Sequence, residues 1–434
     1  MKKTLLAILK KAVKFLAKLT LKRYNPGIIG ITGNIGKTSA KEAVGVVLSH
    51  TRRVRASSKS FNNEVGLPLS VLGDWNVTEG ILFWIGVFIK SIFRLIVIDK
   101  KYPEIIVLEY GVDRVGDMKY LLDIARPHIG VFTAMGNETP VHIEFFAGPE
   151  VILKEKTKLV SQLPTTGFAV LNADDMKVMT AKEYTRANVI TFGFSEKADM
   201  RISAFSNYVS DEGGGVTFKL TYGGSVVPIR IEGGLGRAPA YAAAVGAVTG
   251  LIFGMNLVKI AEALSHYVPP NGRERIIRGI RHSVIIDDTY NASPTATKEA
   301  LATLKSLDAK RKIAVLGDML ELGKYTFDEH QALGHLIPES ADLLFTVGIR
   351  AKIIAETAEK IGFSKKKIFV FTNIHEAAMQ LQQKVLRGDL ILIKGSQGVR
   401  MERVVKEIMT EPLQAKKFLV RQSRSWLRKA GLYD

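Results

Sequence analysis

The amino-acid sequence predicts an α/β protein: a P-loop-type nucleotide domain on a mainly parallel sheet, followed by a second, Rossmann-like α/β domain. Three observations carry this. Short apolar runs alternate with helix-length segments in two series, 28–182 and 283–409. The apolar run Ile28-Ile29-Gly30-Ile31 leads straight into the glycine-rich turn Gly33-Asn34-Ile35-Gly36-Lys37-Thr38-Ser39. The break Pro269-Pro270-Asn271-Gly272 separates the two series. The expected division of the 434 residues is therefore 1–26, 27–269 and 270–434.

The first unit reads as a basic amphipathic helix. Leu5, Leu9, Val13, Leu16 and Leu19 recur at helical spacing, while Lys3, Lys10, Lys14, Lys18 and Lys22 line another face. The first acidic residue is Glu42, the last twenty residues are also basic, and the net charge is +19. Such termini suit an anionic surface. The helical spacing favours peripheral contact with an anionic membrane through 1–23 over any specific nucleic acid. Lysines interrupt each apolar stretch and no small-residue cleavage site follows, so the segment is no signal peptide. The alternative is a helix that packs on the protein's own body.

Tyr24-Asn25-Pro26-Gly27 ends that helix, and strands are expected at 28–32, 104–109, 129–133 and 167–171, with helices at 40–50, 117–125, 149–162 and 175–182. The run 81–98 is about long enough to span a bilayer, but Lys90 and Arg94 interrupt it, so a buried or surface-resting helix is expected. Residues 198–232 alternate around glycine turns and predict an antiparallel edge, followed by a helix at about 239–252. The second series predicts strands at 283–287, 312–316, 342–346, 367–370 and 389–393. Its helices are expected at 294–306, 328–336, 350–361, 374–384 and 398–409. There is no cysteine, which excludes disulfides, thiolate zinc sites and a cysteine nucleophile.

The glycine-rich turn sits between a strand and a helix N-terminus, where backbone N–H groups and the helix dipole face an anion. Lys37 can reach the outer phosphates of a nucleotide, and the Thr38 hydroxyl can hold Mg²⁺. Ile105-Ile106-Val107-Leu108-Glu109 is an apolar strand ending in a carboxylate on the same sheet edge, which places Glu109 to share that Mg²⁺. His142, past the strand 129–133 and two residues before Glu144, is a further metal candidate on that edge.

From Gly27 to Glu402 the chain resembles the Mur ligase family, the ATP-dependent amide-forming ligases of peptidoglycan precursor synthesis, and most of all its D-alanyl-D-alanine-adding (MurF) branch. The resemblance rests on the glycine turn, Lys59-Ser60-Phe61-Asn62-Asn63-Glu64, Glu109-Tyr110-Gly111, Lys154-Glu155-Lys156-Thr157, Leu171-Asn172-Ala173-Asp174-Asp175, Gly272-Arg273-Glu274-Arg275, Asp287-Asp288-Thr289-Tyr290-Asn291, Gly317-Asp318-Met319-Leu320-Glu321 and Lys394-Gly395-Ser396-Gln397. It implies ATP as cosubstrate, bound by residues 33–39 and, across a domain cleft, by Arg273, Asp288, Tyr290 and Asn291. It implies substrate contacts at Asn62, Asn63 and Glu64. It implies two Mg²⁺ ions held by Thr38, Glu109, His142 and a carbamylated Lys156, with Lys37, His142 and Lys156 as the catalytic set.

The reaction so implied joins D-alanyl-D-alanine or a similar amine to a cell-wall peptide precursor through an acyl phosphate. The implied location is the cytoplasm, peripherally on the inner face of the membrane. Family members carry an N-terminal domain that grips a UDP-sugar; only about 26 residues precede the first strand, so that domain is expected to be missing. The family's His-Asn pair near residue 238 is replaced by Arg237-Ala238-Pro239-Ala240. Two alternatives stand beside this reading: the same chemistry on a lipid-linked or non-murein acceptor, and a non-catalytic nucleotide-dependent binding protein.

Overall fold

The computed structural model describes residues 2–57, 61–75, 80–140, 142–210 and 213–434, with side chains from residue 7 onward. Lys59, Ser60, Val141, Asp211 and Glu212, and the side chains of Lys3 and Leu5, lie outside the described residues.

The first sheet comprises β1 (Gly27–Thr32), β2 (Val54–Ala56), β3 (Ile105–Glu109), β4 (Ile129–Phe132), β5 (Phe168–Asn172), β6 (Asn188–Gly193), β7 (Met200–Ser210), β8 (Gly213–Tyr222) and β9 (Ser225–Glu232). Their spatial order is β2-β3-β1-β4-β5-β6-β7-β8-β9. Pairing is parallel through β7 and antiparallel across β7, β8 and β9, the expected edge. Five of the six residues of strand β1 are buried, three of them isoleucines, as suits a strand covered on both faces. It lies between β3 and β4, so the chain leaves β1 toward one side and later returns to the other. A crevice opens at such a switch point, at the carboxyl ends of the strands.

Helices α1 (Lys2–Tyr24), α2 (Lys37–Ser49), α3 (Gly66–Leu72), α4 (Ile81–Ile96), α5 (Asp117–Ile124), α6 (Pro149–Ser161), α7 (Met176–Met179), α8 (Ala238–Ile252) and α9 (Leu257–Leu264) complete this half. One face of the sheet is covered by α2 and α8, whose Ala43, Val44, Val47, Ala243 and Val248 are wholly buried. The other carries α1, α3 and α5 around Val13, Ala17, Leu67 and Leu121. Burying a side chain such as Val13 contributes about 1.5–3 kcal/mol, so α1 belongs to the core. Three of its lysines are drawn onto the body of the protein: Lys10 pairs with Glu64, and Lys14 and Lys18 meet Asp123 at 2.8 and 3.0 Å, while Lys11 and Lys22 are exposed. Over the described side chains of α1, from residue 7 onward, the packing alternative is the one observed.

Helix α4 turns its charges away from its outer side. Arg94 bonds the Leu72 carbonyl at 2.6 Å and Asp99 at 3.0 Å, and Lys90 lies over the Trp75 ring at 5.1 Å. Only Val87 and Ser91 are buried. The outer side is aliphatic and open. No described helix is long and apolar enough to cross a membrane.

The second sheet comprises β10 (Arg275–Arg278), β11 (Val284–Asp288), β12 (Arg311–Gly317), β13 (Leu343–Val347), β14 (Ile368–Phe371) and β15 (Asp389–Lys394), in the order β10-β11-β15-β12-β13-β14. All pairs are parallel except β10 with β11. Among its helices are α10 (Pro294–Ser306) and α11 (Thr326–Gly334). The carboxyl ends of β11, β15 and β12 face the loop edge of the first sheet, and the cleft lies between them.

Candidate active site

The loop after β1 is shaped by backbone rather than by side chains. Gly36 caps α2 at φ 84°, a left-handed conformation that glycine adopts without strain. Gly33 is at φ 143°, and a Cβ there would fall 2.1 Å from the Thr133 hydroxyl. The loop is sewn to the residues after β4: Asn34 N–H donates to the Ala134 carbonyl at 2.7 Å, and the Thr133 hydroxyl donates to the Ile35 carbonyl at 2.5 Å. Together these aim the N-terminus of α2 into the cleft, where an anion is favoured.

Two lysines converge on this loop. Lys37 Nζ donates to the Gly33 carbonyl at 2.7 Å, and Lys156 Nζ, from α6, donates to the same oxygen at 3.2 Å. Burial lowers Lys37 to about 8, against the pull of Glu109 and with help from Arg273. Burial, and then the charge of Lys37, holds Lys156 well below the ordinary lysine range. The preceding residue fixes α6: the Glu155 carboxylate accepts from Gly116 and Met118 N–H at the start of α5. Lys156 is thereby directed at the loop.

Glu109 ends β3 in register with Ile31 of β1 and is 2% exposed. Its Oε2 lies 3.4 Å from the Thr38 hydroxyl. Its Oε1 is 3.1 Å from Lys41 Nζ, an ion pair that is not aligned as a hydrogen bond, so this buried oxygen lacks a donor. A buried carboxylate oxygen without a donor, beside a hydroxyl at an anion site, is a donor set that fits Mg²⁺ completed by phosphate oxygens. His142 sits at φ 65° between two carboxylates, with Nδ1 2.6 Å from Glu321 and Nε2 3.6 Å from Asp113. The hydrogen bond from His142 holds the Glu321 carboxyl below its ordinary value. No group of three or more His, Cys, Asp or Glu side chains forms a ready metal cluster among the described residues.

The second sheet closes the cleft. Arg273 donates to the Thr38 hydroxyl at 3.1 Å and lies 4.2 Å over the Tyr290 ring. Asp288 is tied to Lys394 at 2.5 Å, and Asn291 accepts from Gln397 N–H at 3.3 Å. Thr295 donates to Glu138 at 2.6 Å and links the two halves again. The main cleft, of about 680 Å³, brings together Asn34 to Ser39, Asn62, Asn63, Glu109, His142, Arg273, Asp288, Tyr290 and Asn291. A neighbouring cavity of about 280 Å³ adjoins Ile35 and Gly36 and is walled by Asn172, Asp175 and Tyr241.

Glu64, expected to contact substrate, is not part of this wall. Its carboxylate pairs with Lys10 on α1, drawn there because α1 packs along α3. Asn63 uses its side-chain oxygen to accept from Val65 and Gly66 N–H, which starts α3. His330, within the motif region of the second half, is buried structure: its Nε2 accepts from Met319 N–H at 3.1 Å. Lys41, Asp113 and Thr133 are site residues beyond those singled out from sequence, and Glu321 and Lys394 fall in motifs quoted from sequence without a role. Helical spacing from Lys37 was the available signal for Lys41; nothing local marked Asp113 as a partner of His142.

Comparison with known proteins agrees with this geometry. Residues 91–246 match the Mur ligase middle domain, and residues 272–397 match the Mur ligase, glutamate ligase domain. The UDP-N-acetylmuramoyl-tripeptide–D-alanyl-D-alanine ligase of Bacillus subtilis is 30% identical over 404 residues, which is 93% of this chain and 80% of that protein. The structure of MurF ligase from Thermotoga maritima in complex with ADP matches with a TM-score of 0.75 at 25% identity, over 94% of this chain and 84% of that one. MurF from Acinetobacter baumannii matches with a TM-score of 0.74 at 23% identity, over 91% and 79%. With both family domains matched and 30% identity to a relative of which it covers four fifths, the chain belongs to the Mur ligase family of ATP-dependent, peptide-forming ligases.

Proposed function

We propose that this ligase activates a carboxylate of a cell-wall peptide precursor as an acyl phosphate and joins it to D-alanyl-D-alanine or a similar amine. The observation that carries the reading is the convergence of Lys37 and Lys156 on the Gly33 carbonyl, beside Thr38 and Glu109. The precursor carboxylate attacks the γ-phosphorus and ADP leaves; the amine then attacks the acyl carbon and phosphate leaves. Loop N–H groups and Lys37 offset the charge that grows on the transferring phosphoryl oxygens. Thr38 and Glu109 would hold one Mg²⁺, and His142 with a carbamylated Lys156 a second; bound there, the ions add to that charge stabilisation. A neutral Lys156 amine can add to carbon dioxide and lose a proton, which its depressed basicity favours. Arg273, bridging to Thr38, keeps the cleft closed over the acyl phosphate and excludes water.

Asn62 and Asn63, on the cleft wall, are assigned to the precursor, and the cavity beside Tyr241 to the nucleoside. The domain limits we assign are 27–269 and 270–434, a division that the separate sheets support. The location that suits these substrates is the cytoplasm. A lipid-carried acceptor is the second reading, favoured by the open aliphatic side of α4.

The test is incubation with ATP, Mg²⁺, UDP-muramoyl-tripeptide and D-alanyl-D-alanine, with phosphate release and product mass as readouts. Coupled release of phosphate and a ligated product is expected. Absence of phosphate release with this and with lipid-linked or other carboxylate–amine pairs overturns the reading.

A further inference from the structure

Helix α4 presents an outward side with no polar side chain along its whole length. Leu82, Ile85, Ile89, Ile92, Phe93 and Ile96 are between 47% and 81% exposed. At 100° per residue they occupy one third of the helix circumference. Gly86, between them, is exposed as well and breaks nothing. A contiguous apolar surface of this kind is more than a soluble monomer ordinarily leaves in water. The opposite side of α4 is anchored: Val87 and Ser91 are buried, and Arg94 is bonded to Leu72 and Asp99.

The surroundings of this side are cationic. Arg23, at the end of α1, donates to the Ile96 carbonyl at 3.3 Å, which joins the ends of the two helices. Lys22, Lys100 and Lys101 are exposed beside that junction and have no ion-pair partner among the described residues. The nearby acids are engaged, Asp99 by Arg94 and Glu104 by Arg53. On α1 itself Ile8 and Phe15 are exposed at 60% and 62%, next to the unpaired Lys11.

We propose that α4, with the adjoining end of α1, is a docking surface for an anionic lipid bilayer. The helix lies in the headgroup boundary with its aliphatic side down and the Lys22–Arg23 and Lys100–Lys101 pairs against lipid phosphates. Its 16 residues reach about 24 Å, short of the roughly 30 Å hydrocarbon thickness, so it lies along the surface. Charge decides between lipid and a second copy of this chain. A self-contact through α4 supplies no anionic group to these cationic ends, whereas anionic lipid complements them. The inference stands independently of which acceptor the ligase uses.

The experiment is flotation of the full chain with vesicles of phosphatidylcholine and phosphatidylglycerol in equal parts, against phosphatidylcholine alone. Binding to the anionic vesicles, weakened by salt, is expected. The double variant Ile85→Asp/Ile89→Asp should lower the bound fraction about tenfold, and Lys22→Glu/Lys100→Glu should lower it about fivefold. Both keep the thermal midpoint and the nucleotide affinity of the parent, since none of these side chains is buried or in the cleft. Parent-like flotation of the Ile85/Ile89 variant overturns the proposal and points to the basic C-terminal residues. Absence of vesicle binding, with concentration-dependent dimers that the Ile85/Ile89 variant abolishes, overturns it in favour of a self-interface.

Discussion

The two walls of the cleft differ in how they hold their buried lysines. On the first sheet, Lys156 is buried with a single carbonyl as its hydrogen-bond partner, and Glu109 keeps one oxygen without a donor. On the second sheet, several buried charges are closed into pairs, although Glu274 and Asp287 each keep one oxygen without a donor. Lys394 meets Asp288 at 2.5 Å, Arg311 meets Asp389 at 2.6 Å, and Glu402 is held by Arg400 and Arg421 at 2.6 and 3.1 Å. A lone buried charge costs stability and is kept where a ligand completes it; a closed pair fixes geometry. The pairs around Asp288 and Glu402 fix the shape of the second wall, whereas Lys156 on the first has no such partner among the described residues.

Substituting one lysine from each wall gives the sharpest test of this contrast. Lys156→Ala should cut ligase turnover about 10³-fold, equivalent to about 4 kcal/mol of transition-state stabilisation, while the thermal midpoint stays level or rises. A large fall in the midpoint would break the comparison. Lys394→Ala should do the reverse in kind: it strands Asp288 and costs about 3 kcal/mol of stability, measured by urea denaturation.

Asp175 tests whether structural duty also reaches the first wall. Its carboxylate accepts from Met135 and Gly136 N–H at 2.7 and 2.9 Å and caps α7 through Val178 N–H at 3.1 Å. Asp175→Ala should cost about 1–2 kcal/mol and loosen the nucleoside cavity, read as a raised KM for ATP with kcat nearly kept.

The smallest effect is a proton count. Lys37 titrates near 8 in the free protein, and a phosphate beside it raises that value. ADP binding should therefore take up about half a proton at pH 8 and almost none at pH 6.5, and affinity should fall as pH rises through 8. Calorimetry in buffers of different ionisation enthalpy measures this; no uptake at pH 8 would mean that Lys37 is already charged.

The candidate site was legible in the sequence where it is local. The loop 33–39 declares itself because strand, glycines, lysine and hydroxyl are contiguous, and Glu109 because a carboxylate ends an apolar run. Lys41 was hidden among 61 lysines and arginines, since only the arrival of β3 buries it against Glu109. The amphipathic pattern of α1 was visible but its partner was not: Asp123, which takes up Lys14 and Lys18, is more than a hundred residues away. In α4 the apolar residues almost encircle the helix, so periodicity alone could not tell its open side from its packed one. Strands β2 and β10 are too short to show period, at three and four residues.

The position of β15 has a consequence for how the protein comes into being. Residues 389–394 wedge between β11 and β12, and without them those two strands share no hydrogen bond. The first sheet and the helices that cover it end by residue 264 and can be complete while the ribosome is still adding the rest. The second sheet cannot close until nearly the last segment has emerged. Nascent chains therefore carry a finished phosphate loop before they possess the wall that shuts over it, and a stop codon ahead of residue 389 would release a nucleotide module that never gains its lid.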